Sequence, residues 1–251
     1  MNPVSGAVHR LGVPVSVGTH GRLEDRRAAI LRDGAVADLP MPDGAVISDA
    51  VAVNDRGEIA GIVYYPDSSA KAVVWPATHD RARLLQAGGK DTMAAGIGED
   101  GTVGTVGTRE RAYRWTPDGT GRALALPEGY LSSEGQAISG DWAIGVASTG
   151  RAARTARRSW SPAARRSAGT WPPGPSSTGL PVVPVAVDGT GAIAGRGPGE
   201  QATVWRDGAL FTLPSLDGRR AIVSGFAGDG HTLVGHSDGP GGLSPVVWRG
   251  C

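Results

Sequence analysis

The sequence predicts an all-β fold, a six-bladed β-propeller of four-stranded repeats about 43 residues long. Three observations carry that prediction: Trp recurs in phase, Gly recurs in phase, and the two ends of the chain hold complementary fragments of one repeat. The composition agrees, because 40 Gly and 18 Pro in 251 residues favour turns over helices, while 7 Trp against 2 Phe suggests that Trp is reserved for one recurring place.

Trp75, Trp115, Trp160, Trp205 and Trp248 follow one another at intervals of 40, 45, 45 and 43 residues. Leu31 stands 44 residues before Trp75, in RAAILRDGAVADLP, a segment that recurs as QATVWRDGALFTLP at 201–214. Each in-phase Trp ends a short apolar burst, which suits packing between neighbouring blades rather than display to a ligand. A second motif precedes each Trp: VAVNDRGEIAG at 51–61 matches VAVDGTGAIAG at 185–195, and looser copies end at three further glycines. With VPVSVG at the start, the series reads Gly18, Gly61, Gly104, Gly145, Gly195 and Gly235, spaced 43, 43, 41, 50 and 40 residues apart. Between these marks lie bursts such as EIAGIVYY and KAVVW, separated by Asp-Gly turns at Asp33, Asp100, Asp118, Asp188, Asp207 and Asp229. Gly tolerates the positive φ of a tight hairpin and Asp bonds within its own turn, so each repeat reads as strands joined by hairpins.

The last repeat, 223–251, stops at VVWRGC without the strand that follows Trp elsewhere, and SGAVHRLG at 5–12 aligns with DGAVADLP at 33–40. The N-terminal strand 5–12 is therefore expected to complete the last blade and close a single domain spanning 1–251. The fourth blade is expected to be irregular around 146–184, where six Arg crowd a segment of weak strand pattern and a Pro- and Ser-rich loop runs from Pro172 to Thr178.

The recurring pattern, Val-Asn or its variants, a Gly turn, Ile-Ala-Gly, then Ala-x-x-Trp, resembles the HAF-type extracellular repeat family; VAVNDRGEIAG followed by KAVVWPA is the best copy. The resemblance covers almost the whole chain and is degenerate in the first, fourth and sixth repeats. It implies a bacterial repeat protein placed outside the cell, and it implies fold rather than activity. His9 and Arg10 stand where a signal peptide would carry its apolar core, so the sequence itself sets no localisation.

Twenty-five basic against 24 acidic residues leave a net charge of +1, which argues against a dedicated polyanion binder, and 40% hydrophobic residues are enough for a core. The Arg-rich segment carries no interleaved aromatic ladder, so nucleic acid is not expected as a partner. No apolar run approaches the ~18 residues of a membrane span. Cys251 is the only cysteine, which excludes internal disulfides and multi-cysteine metal sites.

Catalytic motifs are not expected either. Gly96-Ile-Gly98-Glu-Asp-Gly101 matches the dinucleotide pattern but falls on the repeat's own hairpin, with a strand rather than a helix to follow. No segment reads GxSxG. His231 and His236, five apart on one strand, face opposite sides and cannot share a metal. Asp55, Glu58, Glu99, Asp100, Glu110, Glu134 and Glu200 show no spacing that sets two apart as an acid/base pair. The loop aromatics Trp171 and Tyr130 are the candidate binding residues. The function expected is that of a monomeric, non-catalytic scaffold without cofactor or metal, binding a protein or glycan partner through loop surfaces. The alternatives are a lectin-like propeller and, behind it, a propeller hydrolase or lyase.

Overall fold

The computed structural model describes residues 15–22, 24–87, 91–106, 111–126, 128–148, 158–160, 182–227, 230–239 and 241–250. Segment 5–12, Trp171 and most of the region expected to be irregular lie outside the described residues. The chain divides into two compact units, Met1–Leu124 and Ala125–Cys251.

The first unit holds three antiparallel sheets in sequence order. The first is β1 (Val15–His20), β2 (Arg27–Arg32) and β3 (Ala35–Asp38); the second is β4 (Ile47–Val53), β5 (Ile59–Tyr64), β6 (Ala70–Trp75) and β7 (Arg83–Leu84). The third is β8 (Thr92–Gly98), β9 (Gly101–Val106), β10 (Arg111–Trp115) and β11 (Gly121–Ala123). β-branched and Ala residues are buried on both faces of middle strands such as β6, where Ala72, Val73, Val74 and Trp75 are all buried. One face of the second sheet joins the first sheet in a core of Val17, Ile30, Leu39, Val63, Val73 and Trp75. Its other face joins the third sheet through Ala72, Val74, Leu85, Val106 and Trp115. A four-stranded sheet with two apolar faces cannot be stable alone, and stacking sheet on sheet satisfies both.

The second unit repeats the plan with β12 (Ser132–Ser139), β13 (Trp142–Ser148) and β14 (Arg158–Trp160), then β15 (Val183–Val187), β16 (Ile193–Arg196), β17 (Ala202–Arg206) and β18 (Ala209–Thr212), then β19 (Ala221–Phe226), β20 (Thr232–Gly239) and β21 (Gly242–Arg249). Short 3₁₀ turns at Pro198–Glu200 and Leu216–Gly218 are the helical segments among the described residues.

Four strands per repeat were expected, and three of the six sheets show three among the described residues. Register explains which strand each lacks. Ser16 faces Leu31 in the first sheet as Ile59 faces Trp75 in the second, so β1 holds the second-strand place. Sheets β12–β14 and β19–β21 instead end at the third strand.

The in-phase glycines mark a recurring bulge. In five sheets the first strand carries one extra residue opposite the Gly of the second, between Ala50/Ala52, Ala94/Gly96, Gly135/Ala137, Pro184/Ala186 and Val223/Gly225. A Cβ on Gly61, Gly104, Gly145, Gly195 or Gly235 would overlap the carbonyl oxygen of Asp49, Met93, Glu134, Val183 or Ile222, respectively. These glycines have ordinary φ; close backbone approach is what requires them.

Candidate binding surface

The in-phase aromatic residues take three different settings. Trp75 and Trp115 are fully buried and Trp248 nearly so. Each donates its indole N–H to the carbonyl that follows the Leu closing the preceding sheet: Trp75 to Pro40, Trp115 to Gln86 and Trp248 to Pro214, all at 2.7 Å. The bonded carbonyl lies 35, 29 or 34 residues upstream, so one hydrogen bond ties each Trp to its neighbouring sheet. The Leu-Pro ending of the repeat is its acceptor end, since Leu39 and Leu213 in turn donate N–H to Ala28 and Ala202. Trp205 is half-buried against Ile144, Val187 and Ile193, a more open setting than the full burial expected for it. Leu31 is half-buried as well, and the buried residue beside it is Ile30. Trp160 pairs with Gly145 itself, whereas Trp75 pairs with Ile59, two residues before Gly61, so the fourth repeat is displaced by two residues without changing face.

Of the loop aromatics, Tyr130 is half-buried ahead of β12. Trp142, out of phase, opens β13, and its ring lies against Gly191, where a Cβ would come within 2.5 Å of Cε2.

The polar side chains near the hairpins are engaged in holding turns. Asn54 Oδ1 accepts from the N–H groups of Arg56 and Glu58, and its amide donates to Glu58 and to the Gly98 carbonyl of the next sheet. Asp188, at the matching place in the second unit, accepts from Thr190 N–H, Thr190 hydroxyl and Ala192 N–H. Arg56 bridges Glu58 at 2.7 Å and Glu99 at 3.0 Å. Burial alone would push the Glu58 carboxyl up, but hydrogen bonds from Asn54 and Arg56, with the Arg56 charge, hold it below its ordinary value. At the opposite strand ends of the same unit, Arg26 makes a bidentate pair with Asp49 at 2.7 and 2.8 Å, and its guanidinium lies 5.6 Å from the Tyr64 ring centroid. Burial and the Asp49 charge raise the Tyr64 phenol above its ordinary value. His20 contacts Asp38 on the exposed face of the first sheet.

Among the described residues no three His, Cys, Asp or Glu side chains gather where they could hold a metal. The Gly96–Gly101 segment is the β8–β9 hairpin, with Gly98 facing Gly101, and no helix follows to receive a phosphate.

A concave surface lies where the sequence offered no signal. An open groove of about 440 Å³ runs beside the β5–β6 hairpin, lined by Tyr65, Pro66, Asp67, Ser69, Lys71 and Leu84. Tyr65 N–H donates to the Ser69 carbonyl, Ser68 N–H donates back to Tyr65, and Asp67 Oδ1 accepts from Ser69 N–H at 2.9 Å, so the turn is internally braced. In the sequence YYPDSSAK reads as an ordinary hairpin, which is why Tyr65 was not among the candidates.

No family model matches the chain, and no curated relative matches it. Among solved structures it resembles TolB from Acinetobacter baumannii, with TM-score 0.57 and 11% identity over 95% of this chain and 63% of that one. The BP39L lectin from Burkholderia pseudomallei gives TM-score 0.43 and 11% identity over 95% of this chain and 78% of that one. The chain thus spans 63% of the TolB length, and the likeness to TolB establishes the fold: an all-β, propeller-type arrangement of three- and four-stranded antiparallel blades.

Proposed function

We propose that this chain is a non-catalytic binding scaffold, a six-bladed ring that offers loop surfaces to a protein or glycan partner. The observation that carries the reading is the use made of its polar groups. Asn54, Asp188, Glu58, Arg56 and Glu99 are spent on turns and on tying adjacent hairpins together, while an open groove lies beside a braced hairpin. An enzyme of this fold would need acids or His converging on one place. The propeller likeness to TolB is compatible with a scaffold. The resemblance to extracellular repeats supports placement outside the cell.

A thermal-shift screen against glycans, nucleotides and divalent metals, run beside generic glycosidase and esterase assays, tests this. A ligand that binds only the folded state stabilises it by about 2.7 kcal/mol at a hundredfold excess over Kd, and so raises Tm. The scaffold reading expects no turnover, with such a rise from a glycan partner and a flat panel from a protein partner; turnover abolished by replacing a single acid overturns it.

Closure of the ring by segment 5–12 is part of the same proposal. Aligned on DGAVADLP, the segment would lie beside β21 with His9 opposite Val247, because Ala37 lies opposite Ile30 in the first sheet. A second seat has its own support: β1 holds the second-strand place, and VSGAV at 4–8 matches ISDAV at 47–51, the first strand of the next repeat, at an offset of 43 residues. A disulfide between His9→Cys and Val247→Cys, in a Cys251→Ser background, separates the two. Paired strands place such Cα atoms about 5.5 Å apart, within disulfide reach. Spontaneous cross-linking with a raised Tm supports closure, and its absence under oxidation favours the second seat.

A further inference from the structure

We propose that the groove beside the β5–β6 hairpin is a subsite for one neutral sugar ring, stacked on Tyr65 and hydrogen-bonded at its rim by Asp67 and Lys71; this rests on the binding-scaffold reading and names a ligand class and a place for it. Three features of the groove point there.

The first is a fixed aromatic floor. The Tyr65 ring packs against the core shared by the first and second sheets, and the Cβ position of Gly44 lies 3.9 Å from its Cδ1 and Cε1. The backbone beneath it is braced by the Tyr65–Ser69 hydrogen bonds, so the ring is held before a ligand arrives and little is lost in ordering it. Leu84, 40% exposed, continues the apolar wall across the sheet. A pyranose ring has one face of C–H groups, which prefers such an aromatic and aliphatic surface to water.

The second is the sign of the rim. Asp67 brings an acceptor and Lys71 a donor to the same groove. A charged ligand of either sign would meet one like charge there, whereas a neutral polyol donates from one hydroxyl to the carboxylate and accepts at another from the ammonium. Ser69, also in the lining, adds a hydroxyl of both kinds.

The third is size. About 440 Å³ falls in the roughly 300–1,000 Å³ range of small-molecule pockets, and the groove is open to solvent, which leaves room for a longer glycan to extend from the bound ring.

Saturation-transfer NMR on the full chain tests the assignment, using methyl α-D-glucopyranoside, methyl α-D-mannopyranoside, methyl β-D-galactopyranoside and N-acetylglucosamine, with glucosamine and N-acetylneuraminic acid as charged controls. At least one neutral sugar should receive saturation on its C–H face. Its affinity should fall about tenfold or more in Tyr65→Ala and stay within about twofold in Tyr65→Phe, which keeps the ring. Leu84→Asp, at an exposed position, should cause a similar loss and stands in if Tyr65→Ala fails to fold. Absence of transfer to every neutral sugar overturns the proposal, and so does stronger transfer to a charged control. Binding of a neutral sugar that survives both Tyr65→Ala and Leu84→Asp overturns the groove assignment while leaving the scaffold reading standing; turnover abolished by replacing a single acid removes that reading separately.

Discussion

At the scale of single residues, the same amino acid is required for different reasons at different places. Gly34 has φ of +76° with nothing within 4 Å of its Cβ position, so Gly34→Ala meets only backbone strain, about 1–2 kcal/mol. Gly61 has no such φ, yet a methyl there would strike the Asp49 carbonyl and come within 2.6 Å of Trp75 Cζ3. Backbone cannot swing aside like a flexible side chain, so Gly61→Ala should cost more than Gly34→Ala, about 3 kcal/mol or more, the upper end of overpacking costs. Urea midpoints of the two variants check the order. Trp75 separates packing from hydrogen bonding in the same way. Trp75→Ala should cost about 3–5 kcal/mol for the lost buried ring. Trp75→Phe keeps most of the apolar contact but strands the Pro40 carbonyl, for about 1–3 kcal/mol. Equal melting temperatures for Trp75→Phe and the parent would remove the indole bond from the account of how sheets are joined.

At the scale of elements, the hairpins decide what could be read from sequence. Asp33-Gly34 and Asp207-Gly208, all four with positive φ, are two-residue turns that the dipeptide itself announces. The phase of Trp and Gly was equally legible, because a repeat imposes it. The partners were not. The carbonyl bonded by Trp75 lies 35 residues upstream, and the bulge that explains Gly61 sits in another strand, so neither follows from local pattern. Tyr65 gave no signal because the groove joins a hairpin turn to Leu84, a residue 19 positions further along the chain, and no local motif records that. The Asn54–Glu58 hairpin also carries a pH dependence. Glu58 is held below its ordinary value in the folded chain, so it binds a proton less readily there than when unfolded. Its contribution is therefore present above the unfolded pKa, about 4.3 for Glu. It disappears as pH falls through the lower folded value. Stability measured from neutral to acid pH should decline less steeply below that point in Glu58→Gln than in the parent; parallel curves would mean that the Asn54 and Arg56 bonds do not favour the charged form.

At the scale of the whole molecule, sheets with two apolar faces and open edges gain stability by completing strands, and the described residues leave three such places: before β1, beyond β14 and beyond β21. β21 exposes Leu243 and Val247, at 67% and 56%, along a strand whose inner partner is β20. Gly250 N–H donates inward to the His231 carbonyl, and alternation along the strand turns the Val247 N–H outward. That amide is thus a local reporter of closure. If segment 5–12 pairs with β21, Val247 N–H exchanges slowly in the full chain and becomes fast when residues 1–12 are deleted, and the exposed apolar edge drives concentration-dependent association. If the segment instead completes the first sheet, the same deletion speeds exchange along β1 and leaves Val247 unchanged. Either loss of a strand should lower Tm, by roughly 2–4 °C for each kcal/mol at this chain length, so melting alone would not distinguish the seats. Exchange at Val247 does, because its answer depends on which edge the segment covers rather than on how much stability it adds.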